Sequence, residues 1–354
     1  MNSPAIPLKT NSSCSPAVPL ADEVEKELRE RIAAAVPVGP QTKAPGRAAL
    51  QFLKRTAHRL PHPLLLRAFL LKYALHELRV ERQARIKNEL IPLGNIDLSR
   101  HKKSDTVFLL GSGPSINAID EKKWRTIARH DSMAVNFWLF HKFVPTFYFY
   151  EAIGPRHGKT FEVFRGLSND RAHDYARTIK VVTGLELLAP ELNLCRPEAW
   201  SRDLYTAYTV PVAARNEREF VRGLHLAKSL GLFKRTPRID CFFKQGSSVT
   251  GLISLAVRMG YKRIVLCGID LHNGHYFYQD PKLYWDAPNV EFQDRNAPHK
   301  LVTPQPWKVL TDAAVITIKR EILDPLGIEI FVENRSSRLW PAIKEARASI
   351  FESN

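Results

Sequence analysis

The sequence predicts an α/β fold, a Rossmann-like, largely parallel sheet with helices on both faces. Three observations carry that reading. From about residue 104, short apolar runs of strand length alternate with stretches of helical periodicity. The first run, Val107-Phe-Leu-Leu110, breaks into Gly111-Ser-Gly-Pro-Ser115, and a helical pattern follows from Ile116. Polar residues able to do chemistry then recur just after the apolar runs, where a doubly wound sheet places its ligand crevice.

Taken in chain order, residues 1–20 are rich in Pro and Ser, poor in apolar residues, and expected to be disordered. Ala21 to Val36 reads as a charged helix, followed by a Pro/Gly linker from Pro37 to Gly46. Pro61-His-Pro63 opens a further helix in which Leu64, Leu65, Phe69, Leu71, Leu75 and Leu78 mix with Arg67, Lys72, Arg79, Arg82 and Arg85. Two readings stand for it. It is a helix packed on the main domain with a solvated basic face, or an interfacial helix that docks on anionic lipid. Residues 21–95 are accordingly assigned to a basic helical N-terminal extension.

Strands are predicted at Thr106–Leu110, Ser132–Asn136, Thr146–Tyr150, Ile179–Thr183, Arg263–Cys267 and Ile328–Val332. Helices fit Ile116–Ala128, Val249–Met259 and Pro306–Leu323. Gly184 to Phe243 is poorly patterned and is assigned to mobile or substrate-covering segments, including the basic stretch Lys228 to Arg238. The organisation expected is a main domain over 104–335 and a C-terminal tail over 336–354.

Composition narrows the function classes. The net charge is +16, and Lys54 to Lys103 alone holds 12 Lys/Arg against 4 Asp/Glu. Such a concentration favours a polyanionic partner, either a lipid surface or an anionic substrate. Nucleic acid is not expected, because no zinc-finger or aromatic-and-basic RNA-recognition motif accompanies the charge. Cys14, Cys195, Cys241 and Cys267 show no CxxC spacing, which fits a reduced cytoplasmic protein without a zinc site. No apolar run approaches transmembrane length, and no signal-peptide layout opens the chain.

The candidate site residues follow the predicted strands. They are Gly111, Ser112, Gly113, Pro114 and Ser115 after the first, Asn136 after the second and Glu151 after the third. Ser247 and Ser248 precede a helix, and Gly268-Ile-Asp270 ends the fifth strand before His272, Tyr276 and Tyr278. His299 lies in the polar loop Asp294-Arg-Asn-Ala-Pro-His-Lys300. Glycines let the backbone approach an anion, and a helix's first N–H groups point at it. Each piece also has a structural reading: a bare βα turn, two helix-capping serines, an aspartate bonded to a neighbouring turn, and two tyrosines that pack. A dinucleotide fingerprint would need a third glycine where Ile116 stands, and no P-loop Gly-Lys-Ser/Thr occurs. Asp270, His272, His275 and His299 match no metal-ligand spacing, so neither a metal nor a cofactor is expected.

Phe108-Leu-Leu-Gly-Ser-Gly-Pro-Ser-Ile-Asn-Ala-Ile-Asp120 resembles the N-terminal strand and loop of the bacterial glycosyltransferase family 42 sialyltransferases, the Campylobacter Cst-type enzymes. The stretch from Ser247-Ser248 through Gly260-Tyr-Lys-Arg-Ile-Val-Leu-Cys-Gly-Ile-Asp270 is similar to their second block, and the resemblance covers residues 104–335. It implies a single A-type-like glycosyltransferase domain that transfers sialic acid from CMP-sialic acid, with inversion and without metal. The acceptor implied is a hydroxyl of a bacterial surface glycan or glycolipid such as lipooligosaccharide, at the inner face of the cytoplasmic membrane. His299 matches the family's general base, and an imidazole with a pKa of about 6.5 suits that task. Tyr276, with Tyr278 beside it, would bond the leaving phosphate. Gly111, Ser112, Gly113, Asn136 and Asp270 would hold the nucleotide, and Ser247 and Ser248 the sialyl carboxylate.

The chain departs from the family at three places. Ser112 stands for an asparagine, and Glu151 for a donor-contacting asparagine, where a carboxylate repels an anionic donor unless it is paired. His272 falls near the place of a second phosphate-binding tyrosine and, protonated, would serve the phosphate instead. The donor is therefore sialic acid or another CMP-activated sugar acid. Two alternatives remain: a pterin or nucleotide diphosphotransferase needing Mg²⁺ and ATP, and a non-catalytic nucleotide-sugar-binding protein. A homo-oligomer is left open.

Overall fold

Apolar runs such as Thr-Val-Phe-Leu-Leu suit strands buried on both faces, which is the condition of a parallel sheet. The structure, a computed structural model, describes residues 61–66, 78–197, 200, 204–272, 276–280, 282 and 309–352. The segments expected at 1–20 and 21–46, and most of the basic helix after Pro63, lie outside them.

In chain order the elements are α1 (Leu78–Lys87), β1 (Ile91–Pro92), β2 (Thr106–Leu110), α2 (Glu121–Arg129), β3 (Asp131–Val135) and β4 (Phe147–Glu151). Next come α3 (Lys159–Asp170), β5 (Ile179–Thr183), β6 (Leu204–Thr206), β7 (Tyr208–Val210), α4 (Glu217–Ser229) and β8 (Cys241–Phe243). The last are α5 (Ser248–Arg258), β9 (Arg263–Cys267), α6 (Thr311–Ile318), β10 (Glu329–Val332) and α7 (Ala348–Glu352). Eight strands form one sheet in the order β1-β6-β5-β4-β3-β2-β9-β10, and β7 pairs with β8 apart from it. Every pairing among the described strands is parallel.

Alternation along each strand divides the core into two layers. Val107, Leu109, Met133, Phe149 and Leu266 pack against Leu224 of α4, Leu252 of α5 and Ile318 of α6. Phe108, Leu110, Tyr148, Tyr150 and Cys267 pack with Ile127 of α2, Phe164 of α3 and Phe351 of α7. Helices therefore cover both faces, as expected. The chain steps from β2 to β3 on one side and later places β9 on the other, so the sheet's topological switch lies between β2 and β9.

Three expectations need correction. The helix expected at Ile116–Ala128 is divided: Pro114–Ala118 forms a 3-10 turn, and Asp120 starts α2 by accepting the Lys123 N–H at 2.8 Å. In the last helix, expected at Pro306–Leu323, the described residues are α-helical from Thr311 and end in a π-helical turn, Lys319–Leu323. Gly184 to Phe243, expected to carry mobile or substrate-covering segments, holds β6, β7, α4 and β8, and Leu232 and Phe233 of its basic stretch are buried in the core. Beyond β10, Leu339 and Ile343 are buried, and Phe351 packs on Phe108 with ring centroids 5.9 Å apart.

Candidate functional site

The loops after β2 and β9 meet at the switch point. The N–H of Gly111 donates to Cys267 O and that of Gly113 to Gly268 O, both at 2.8 Å. Asp270, 3% exposed, accepts the Ser115 N–H at 3.0 Å and the Ser115 hydroxyl at 2.6 Å. The glycines are required by this contact. A Cβ at Gly111 would lie 2.5 Å from Gly268 O, and one at Gly113 would lie 2.3 Å from Asp270 Oδ2. Gly268 itself has φ +66, a conformation that favours glycine. The amide cradle expected of Gly111 and Gly113 is thus not open to an anion, because their N–H groups are bonded to Cys267 O at the end of β9 and to Gly268 O just after it. The five-residue turn that follows supplies no long helix to point at one.

Two clefts flank this junction along the carboxyl edge of the sheet. The first, above β2, β9 and β10, is lined by Pro114, Ser115, Ala118, Lys123, Asp270, His272, Glu333, Asn334 and Ser336 and spans about 740 Å³ including space open to solvent. In it the buried Glu333 accepts from Lys123 Nζ at 2.6 Å and from Asn334 Nδ2 at 2.7 Å. Burial opposes the Lys123 charge, but the Glu333 carboxylate outweighs it and raises the ammonium's pKa.

The second cleft, above β3, β4 and β5, is lined by Asn136, Tyr150, Glu151, Thr183, Lys244, Ser248 and Gly251, among others. Asn136 takes a positive φ of +50 directly after β3. Its side-chain oxygen accepts the Glu151 N–H at 3.2 Å, and its carbonyl accepts the Tyr148 hydroxyl. Glu151 ends β4, and its Oε1 lies 2.6 Å from Lys244 Nζ. The carboxylate that would repel an anionic donor is therefore paired. Ser247 stands at the N-cap of α5 but makes no side-chain cap bond. Its hydroxyl is buried without a hydrogen-bond partner among the described residues.

Phe277–Gln279 forms a turn docked on the first loop through the Phe277 N–H to Ser112 O at 2.9 Å and Asn117 Nδ2 to Phe277 O at 2.9 Å. Tyr278 is 5% exposed and stacks on Phe140 and Tyr276, with centroids 4.8 and 5.3 Å apart. Burial raises both phenol pKa values, so each keeps its O–H proton near neutrality. Tyr276 is the more open of the two. His299 and His275 lie outside the described residues.

The structure thus divides the predicted residues: Pro114, Ser115, Asp270 and His272 line one cleft, and Asn136, Glu151 and Ser248 the other. Lys244, Thr183, Lys123, Glu333, Asn334 and Ser336 are lining residues that the sequence reading missed. Lys244 escaped because β8, the three-residue strand before it, was not read as one.

No family model and no curated protein sequence matches the chain. Among solved structures, the chain is similar to the monofunctional alpha-2,3-sialyltransferase Cst-I from Campylobacter jejuni, at 17% identity and a TM-score of 0.38, over 75% of this chain and 85% of that one. Among the described residues no helix is long and apolar enough to cross a membrane, and no group of His, Cys, Asp and Glu could hold a metal ion.

Proposed function

We propose that this chain transfers a sugar acid from a CMP-activated donor to a hydroxyl of a glycan or glycolipid, by an inverting displacement. One observation carries the reading. The carboxyl edge of a doubly wound parallel sheet gathers Ser115, Asp270, His272, Asn136, Glu151 with Lys244, and Ser248, on both sides of the switch point. Ligands of such sheets bind there. The sequence resemblance over residues 104–335 supports the donor class.

In this reading His299 takes the proton of the attacking hydroxyl, and CMP departs with the bond to the sugar's anomeric carbon broken. The leaving phosphate is already a stable anion, so no strong acid is needed. Tyr276 donates a hydrogen bond to it as charge develops. Residues 78–87, with their basic face, belong near an anionic membrane that carries the acceptor.

The test is a screen of CMP-activated sugar acids for CMP release by the purified protein, with and without lipooligosaccharide acceptors and chelator. Release from CMP-sialic acid that survives chelation supports the proposal. A requirement for ATP and Mg²⁺ replaces it with diphosphotransfer, and CMP binding without turnover replaces it with a non-catalytic role.

A further inference from the structure

Lys244 follows β8 directly, and its backbone N–H donates to Val210 O at 3.2 Å. Its stem lies along the first turns of α5 at Gly251, where a Cβ would come within 3.3 Å of Lys244 Cγ and 3.0 Å of Phe242 Cε2. A Cβ at 251 would require Phe242 or the lysine stem to give by a few tenths of an ångström. The side chains of the ion pair differ sharply in exposure, 15% for Lys244 and 45% for Glu151. The cation is the fixed, enclosed partner, and the carboxylate is the one open to solvent.

We infer that Lys244 is the receptor for the acid group of the donor sugar, and that Glu151 occupies its ammonium only while the cleft is empty. The inference rests on the reading of this cleft as part of a sugar-nucleotide site. Partly exposed ion pairs are weak, so an entering carboxylate can take the place of Glu151 at little cost. A second anion-binding element stands at the same cleft, for Ser248 lines it and begins α5, an 11-residue helix. The adjoining Ser247 is 4% exposed, and its buried hydroxyl has no hydrogen-bond partner among the described residues. An ammonium and a helix N-terminus converging on one cleft suit an anion better than a neutral sugar. Displaced from Lys244, the Glu151 carboxylate becomes an acceptor for sugar hydroxyls.

The experiment is calorimetric titration of the full-length protein with CMP and, separately, with CMP-N-acetylneuraminic acid. For Lys244→Met the expected result is a loss on the order of tenfold or more for the sugar nucleotide, as for a lost charge-assisted contact, with CMP affinity retained. Lys244→Arg restores sugar-nucleotide binding in part, and Glu151→Gln strengthens it by removing the competing carboxylate. Retained CMP affinity also shows that the variants fold. Equal loss of both ligands in Lys244→Met would mean that the ammonium reads the nucleotide phosphate, and no loss of either would mean that it reads nothing; each overturns the inference alone. Weaker sugar-nucleotide binding in Glu151→Gln overturns the exchange. Wild-type protein that binds neither ligand overturns the reading of the cleft itself.

Discussion

The Asp270 carboxylate holds Ser115 twice, through its backbone N–H at 3.0 Å and its hydroxyl at 2.6 Å. This pair of hydrogen bonds from loop to loop fixes the ends of β2 and β9 against each other at the switch point. It explains the glycines on both sides by close backbone approach, before any ligand is considered.

Substituting Gly113 therefore disturbs the junction directly. In Gly113→Ala the new Cβ would stand 2.3 Å from Asp270 Oδ2 and 2.8 Å from Gly268 O, one of them backbone. The expected cost is about 1–3 kcal/mol, as for overpacking in a tight interior. Urea unfolding measures it, and an unchanged midpoint would show that the two loops separate freely.

His141 gives the fold a pH dependence. Its ring lies 4.7 Å from both Trp124 and Trp138, and its Nδ1 accepts the Phe143 N–H at 3.0 Å. Burial, helped by Lys142 and Arg171, pushes its pKa down to about 4. An unfolded histidine titrates near 6.5, so between these values the unfolded chain binds more protons and stability rises with pH. The contribution is complete above about pH 6.5 and is lost as pH falls toward 4, to a total of about 3 kcal/mol. Urea midpoints at pH 7.5 and 4.5 should differ less in His141→Asn, which keeps an acceptor but cannot take the proton.

The proposed base makes a separate prediction. His299→Ala should retain folding and CMP binding and lose on the order of 10²–10⁴ in turnover, the range for general-base catalysis. Wild-type activity should rise with pH as the imidazole becomes neutral. Steady-state rates of CMP release across pH measure both effects, and an active His299→Ala protein would reassign the base.

The exposed face of α1 carries Arg79, Arg82 and Ile86, the last 66% exposed, while Glu81 and Ala84 face inward. If this face meets anionic lipid, Arg79→Glu with Arg82→Glu should weaken binding to phosphatidylserine vesicles at least tenfold, since each basic residue near such a surface is worth about 1 kcal/mol. Sedimentation with vesicles checks this. Unchanged binding would assign the face to solvent.

Legibility followed the length and burial of each element. Thr106–Leu110, Ile179–Thr183 and Arg263–Cys267 are five-residue segments with at least three apolar residues each, and the sequence reading gave their bounds to the residue. Ile91–Pro92, Leu204–Thr206 and Cys241–Phe243 are too short to show a pattern. α4 was legible but missed: Asn216 caps it by accepting the Glu219 N–H at 3.0 Å, and Phe220, Leu224 and Ala227 share its buried face. At the site, strand ends located Asn136, Glu151 and Asp270, and the helix start located Ser248. What sequence could not show was pairing: Lys244 with Glu151, Glu333 with Lys123, and the Gly111 and Gly113 amides with the Cys267 and Gly268 carbonyls at the end of β9.

Amide hydrogen exchange with and without CMP-sialic acid reports whether the donor lies at the carboxyl edge of the sheet. Slower exchange is expected in the loops that follow β2 and β9 and in the first turn of α5, on both sides of the switch point, with little change at the opposite edge of the sheet. Unchanged exchange at those segments under saturating ligand, or protection confined to the opposite edge, would contradict it.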